Sequence, residues 1–178
     1  MRRVVIYANS NQLTVKIMRY YLLLIFTIFL ITNTSYGQVG SVPEPDFYIK
    51  NQLEEMDLSY EITEGGDFKL IINTGDDRSQ LVFISSSTLE YRNLKIRQIT
   101  SPAYSSNTST LPKSVANKLL TDSGKKKMGS WIRYDGDAYF ITRIDSKASI
   151  ESLKSALMIT IDTADEMEQE LSGDKDEF

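Results

Sequence analysis

Trp131-Ile132-Arg133-Tyr134, then Asp135-Gly136, then Asp137-Ala138-Tyr139-Phe140-Ile141-Thr142-Arg143-Ile144 is the stretch whose reading decides the fold. Aromatic and β-branched side chains on both sides of the Asp-Gly suit a pleated surface, and Asp-Gly tolerates the positive φ of a tight hairpin turn. After Asp145 the period changes. Ile150, Leu153, Leu157, Ile161, Ala164, Met167 and Leu171 recur at three- and four-residue steps, which places them on one helical face. Ser146 or Ser149 can cap the start of that helix and Gly173 suits its end. A hairpin followed by a helix with one apolar stripe implies a sheet covered by the helix.

Upstream of this unit, Asp46 can cap a helix over 45–56 in which Phe47, Ile49, Leu53 and Met56 gather on one side. Tyr60 and Ile62 alternate with polar residues up to Gly65-Gly66, and Phe68, Leu70 and Ile72 alternate after it, so the pair reads as a hairpin. Gly75-Asp76-Asp77 is a turn. Gln80-Leu81-Val82-Phe83-Ile84 is apolar on both alternating sets, the pattern of a central strand buried on both sides, and Leu94 to Ile99 is a further strand ended by Pro102. A Ser/Asn-rich loop follows. Thr110 can then cap a helix carrying Val115, Leu119 and Leu120, with Pro112 in its first turn and Gly124 at its end. The order α-βββ(β)-α-ββ-α predicts an α+β fold, an antiparallel sheet of five or six strands with helices packed on it.

Composition narrows the chemistry. The 178 residues include no cysteine and no histidine. Disulfides, thiolate zinc sites and Ser-His-Asp or Cys-His nucleophiles are therefore excluded, leaving carboxylates, hydroxyls, lysine and arginine. Tyr20 to Ile31 is an apolar run preceded by Arg19 and followed by small residues up to Gly37, the form of a secretory signal with cleavage before Gln38. Met18 is an alternative start that would make residues 1–17 an extension. The run is shorter than the roughly 20 residues of a membrane span, so release is expected and a retained anchor is the alternative. Residues 38–44 form a linker and 173–178 an acidic tail. After removal of residues 1–37 the chain has 16 basic and 24 acidic side chains, a net charge of −8, and no basic stripe, which argues against nucleic acid as a partner.

Several clusters are open to a reading as sites. Asp135 and Asp137 lack the further ligands of a calcium loop and read as turn residues. Lys125-Lys126-Lys127 reads as a solvated loop, and Gly124 to Ser130 lacks the lysine of a phosphate loop and precedes a strand. Asp162, Asp165, Glu166 and Glu170 could serve acid–base chemistry only in a shared pocket; a solvated helix face is the plainer reading. Tyr48, Tyr60, Tyr91, Tyr104, Tyr134 and Tyr139 fit an interaction surface or core packing equally well. No catalytic, cofactor-binding or metal-ligating residue is assigned.

Phe68-Lys69-Leu70, Arg78-Ser79-Gln80-Leu81-Val82-Phe83-Ile84, Leu119-Leu120, Met128-Gly129-Ser130-Trp131-Ile132 and Leu153-Lys154-Ser155-Ala156-Leu157, with the end Ala164-Asp165-Glu166-Met167-Glu168-Gln169-Glu170-Leu171, stand in an order that resembles the bacterial YbjN-like family. That family has the fold of type III secretion chaperones. The resemblance spans most of residues 45–172 and implies one domain there, non-catalytic, binding an unidentified protein partner or forming a homodimer, with no cofactor. The chaperones work in the cytoplasm, whereas the export signal here points to the periplasm or the outside of a Gram-negative cell. The expectation is an exported protein-binding module; the alternative is a small carboxylate-dependent hydrolase or carbohydrate-active enzyme of the envelope.

Overall fold

The computed structural model describes residues 43–75, 77–172 and 178. The run Tyr20 to Ile31 expected as a signal, most of the expected linker, Asp76, Gly173 and the tail up to Glu177 lie outside the described residues. Among the described residues, three helices and seven strands follow the expected order: α1 (Phe47–Glu55), β1 (Glu61–Ile62), β2 (Phe68–Gly75), β3 (Arg78–Ile84), β4 (Leu89–Tyr91), β5 (Leu94–Tyr104), α2 (Lys113–Ser123), β6 (Ser130–Tyr134), β7 (Asp137–Asp145) and α3 (Ile150–Ser172). The strands form one antiparallel sheet ordered β1-β2-β3-β5-β7-β6, with β4 paired to the start of β5. The strand beyond the expected five or six is β4. Its residues are all exposed, so the alternation by which a half-buried strand is recognised is absent there.

Alternation sets the two faces. Phe68 and Leu70 of β2, Val82 and Ile84 of β3, Ile99 of β5 and Phe140 of β7 point into the core under the helices. The stripe of α3 supplies the other half, with Leu153, Leu157 and Ile161 meeting α1 and strands β2 and β3, while Ala164 and Met167 meet α2 and β7. Burial of one such leucine contributes roughly 1.5–3 kcal/mol. Leu81 and Phe83 are only half-buried, so β3 is interior to the sheet but covered on one face, unlike the two-sided burial expected. Leu120, read from the sequence beside Val115 and Leu119 on the same helix, is 75 % exposed on α2, and Phe47 of α1 is 73 % exposed.

β5 continues through Pro102 to Tyr104 instead of stopping. Proline has no amide to donate, and the ladder shifts register between Pro102 and Tyr104. On the β3 side buried side chains replace the ladder: Gln80 Nε2 donates to Ser101 Oγ at 2.9 Å and to Pro102 O at 2.7 Å, and Ser101 Oγ donates to Leu81 O at 2.6 Å.

The β6–β7 hairpin closes with Tyr134 opposite Asp137, a two-residue turn as expected. The positive φ falls on Asp135, at 53°, and the glycine is needed for another reason: a Cβ on Gly136 would run into the Thr108 carbonyl of the neighbouring loop. Helix α3 starts at Ser149, whose Oγ accepts from Ser152 N at 3.3 Å. Ser146 is instead buried, its amide donating to Lys95 O at 2.8 Å. Helix α2 begins after Pro112 with no side-chain cap, so Thr110 does not fill that role.

Candidate functional site

Helix α1 ends in a turn that shapes a cleft beside it. Asp57 N donates to Glu54 O at 3.1 Å and Leu58 N to Leu53 O at 3.0 Å, the paired bonds of a Schellman ending, with Asp57 in the left-handed region at φ 55°. The turn brings Met56 and Leu58 to face the first three turns of α3. Between them and Ile72 of β2 lies an apolar cleft of about 510 Å³. Leu157 and Ile161 form part of its lining and belong to the core, while Ile150 and Met158 line it along α3. Met158 is 50 % exposed in mid-helix, one step off the stripe that packs the core.

The charged residues at this cleft are Glu55, Glu151 and Lys154, all exposed and without an ion-pair partner among the described residues. The Ser149 hydroxyl, with Glu151's own amide, holds the Glu151 carboxyl below its ordinary range, and the positive end of α3 acts in the same direction. Met56 and Met158 give the walls adaptable, polarizable side chains. Chemically the cleft offers apolar area and peripheral charge.

The clusters read from the sequence sit elsewhere. Asp137 Oδ1 accepts from Ser105 Oγ at 2.8 Å and thereby holds the loop before α2, and Asp135 is in the hairpin turn. Lys126 is not merely solvated, since it joins Asp122 of α2 at 3.7 Å and Glu166 of α3 at 3.4 Å. The acidic side of α3 is likewise tied down. Arg78 of β3 reaches Asp165 at 2.9 Å and the fully buried Glu168 at 3.3 Å, and Lys118 pairs with Glu170. Asp162 differs: burial, then the neighbouring Glu166 and Asp165, push its carboxyl above the ordinary range.

Asp122 and Glu170 do share a polar cleft between α2 and α3, of about 420 Å³. Asp122 accepts from Trp131 Nε1 at 2.7 Å and is paired with Lys126, so both carboxylates are held by lysine. No group of three or more acidic side chains converges as a metal site among the described residues. The tyrosines are divided. Tyr48 donates to Ala148 O at 3.0 Å, Tyr60 packs edge-on against Phe68, and Tyr104 and Tyr139 are half-buried. Tyr91 and Tyr134 are exposed in different parts of the sheet and make no common surface.

What the sequence reading missed is the cleft. Met158 was the available signal, an apolar residue beside the stripe that widens it beyond what the sheet can cover. No helix among the described residues is long and apolar enough to cross a membrane. No protein-family model matches the chain, and no curated protein matches its sequence.

Proposed function

We propose that this chain is an exported, non-catalytic protein-binding module whose α1–α3 cleft receives an apolar segment of a partner protein. The observation that carries this is the half-exposed Met158 standing in a cleft walled by Met56, Leu58 and Ile72, an apolar concavity with charge at its edge. Lack of histidine and cysteine supports the non-catalytic reading, as does the pairing of Asp122 and Glu170 with lysines at the polar cleft. The resemblance to the YbjN-like family supports binding to protein, and the run Tyr20 to Ile31 supports export.

A photo-crosslinking amino acid at Met158, introduced into the full chain in the source organism, tests the reading. The expected result is one discrete adduct, absent when the same group replaces the exposed Glu90 on β4. Equal labelling at both positions, or none at Met158, refutes it. Sequencing the N-terminus of the same preparation tests export: Gln38 as first residue is expected, and a retained Tyr20 to Ile31 refutes release. Light scattering on that preparation reads whether the module is a monomer or a dimer.

A further inference from the structure

We infer that the occupant of the α1–α3 cleft is a basic amphipathic helix of the partner, about three turns long. This rests on the protein-binding reading and adds the conformation and charge of the ligand. Length comes first. Ile150 to Ile161 spans twelve residues of α3, about 16 Å at the rise of an α-helix, which matches a facing helix of about three turns with three apolar anchors. The walls come from the end of α1 and the side of α3, so the cleft is bounded largely by helices, and the two methionines can adjust to the anchors.

Charge comes second. Glu55 on α1 and Glu151 on α3 put one carboxylate on each helical wall, against the single cation Lys154. The acidic bias extends past the cleft: residues 51–68 contain six acidic and no basic side chains, and among the described residues only Glu54 and Glu61 of these are met by lysines, Lys50 at 3.8 Å and Lys69 at 3.1 Å. Such a field favours lysine- or arginine-bearing ligands and repels acidic ones, acting on selectivity and encounter rate more than on affinity.

The test uses the full chain labelled at its methionine methyl groups and three 14-residue synthetic peptides: leucine and lysine at helical spacing, the same pattern with glutamate for lysine, and the lysine peptide with two central prolines. The lysine peptide is expected to move the Met56 and Met158 methyl signals and to bind at least about tenfold more tightly than the other two. Exposed ion pairs being individually weak, Glu55→Gln with Glu151→Gln should lower its affinity about fivefold. Glu90→Gln with Glu170→Gln, which removes the same charge far from the cleft, should leave affinity unchanged, and Met158→Ser should weaken binding. Equal binding of the lysine and glutamate peptides overturns the charge inference, and equal binding of the proline peptide overturns the helical one; either leaves the protein-binding reading intact. Methyl signals that move on raising the protein concentration alone assign the cleft to a second copy and overturn both charge and helix. If no peptide moves the methyl signals, the inference fails, and a discrete Met158 adduct in the crosslinking experiment then shows that the protein-binding reading survives it.

Discussion

Replacing Asp46 should uncouple α1 from the sheet, because this one carboxylate both caps the helix and neutralises a buried guanidinium. Its Oδ1 accepts from Ile49 N at 3.0 Å, and its Oδ2 accepts from Arg97 Nη2 at 2.8 Å. Arg97 is 1 % exposed, and its Nη1 also donates to the carbonyls of Ser85 and Ser86. At an effective dielectric of 20, two charges 2.8 Å apart attract by about 6 kcal/mol, a gross figure that desolvation of Arg97 largely offsets. The net loss is therefore set by the stranded charge. Asp46→Asn keeps a good cap and removes the charge, so it should cost about 2–3 kcal/mol; Asp46→Ala also removes the cap and should cost about 1 kcal/mol more.

Urea unfolding followed by the fluorescence of Trp131, the single tryptophan, measures this. The double variant Asp46→Asn with Arg97→Met should be less destabilised than the sum of the two singles by at least about 1 kcal/mol, since neither charge is then left alone. The pH dependence has a definite sign. Burial pushes the Asp46 carboxyl up, but the Ile49 amide, the hydrogen bond and charge of Arg97 and the Tyr48 amide together hold it below its ordinary value. Its contribution is therefore complete above about pH 4, the unfolded value, and is lost as pH falls through the lower folded value. Wild type should lose stability over that window and Asp46→Asn should lose less. An Asp46→Asn cost under about 0.5 kcal/mol, or additive singles, would refute the reasoning.

Three other outcomes are expected. Asp57→Gly should stabilise the domain by about 0.5–1 kcal/mol, because Asp57 occupies a left-handed position at φ 55° where a Cβ is unfavourable; thermal unfolding measures it. Thr142 Oγ1 and Thr160 Oγ1 lie 2.8 Å apart in the core, and Thr160 also donates to Ala156 O at 2.6 Å. Thr160→Val should cost about 1–3 kcal/mol by orphaning Thr142, and the Thr142→Val, Thr160→Val pair should cost less than the sum of its singles in urea titrations. Arg78→Met should cost about 3–5 kcal/mol, since it takes the guanidinium away from the fully buried Glu168; a change within about 1 kcal/mol in the same titration would show that Arg78 is dispensable.

Local pattern and long-range placement divide this protein clearly. The closing hairpin and α3 were legible because a tight turn and a three-to-four-residue apolar repeat are properties of adjacent residues, and Leu153, Leu157, Ile161, Ala164 and Met167 are buried as their spacing requires. The α+β order was legible for the same reason. β4 and the end of β5 were not, because exposed residues carry no alternation and because the side chains that sustain β5 past Pro102 come from Gln80 and Ser101, one of them on another strand.

The cleft was the least legible part, since Met56, Ile72 and Met158 are far apart in the chain and become neighbours only when α1, β2 and α3 are packed together. Arg97 makes the same point for the core. In Leu94-Lys95-Ile96-Arg97-Gln98-Ile99 it looks like an ordinary surface charge, yet the sheet turns it inward beside Ile99. The sequence by itself determined the three helices, six of the seven strands and which reactive residue types are missing, because those follow from local spacing and composition. Only the tertiary structure decided which way Arg97 faces and where apolar side chains remain uncovered, because its counter-charge on Asp46 lies 51 residues away and the cleft is made by three elements at once.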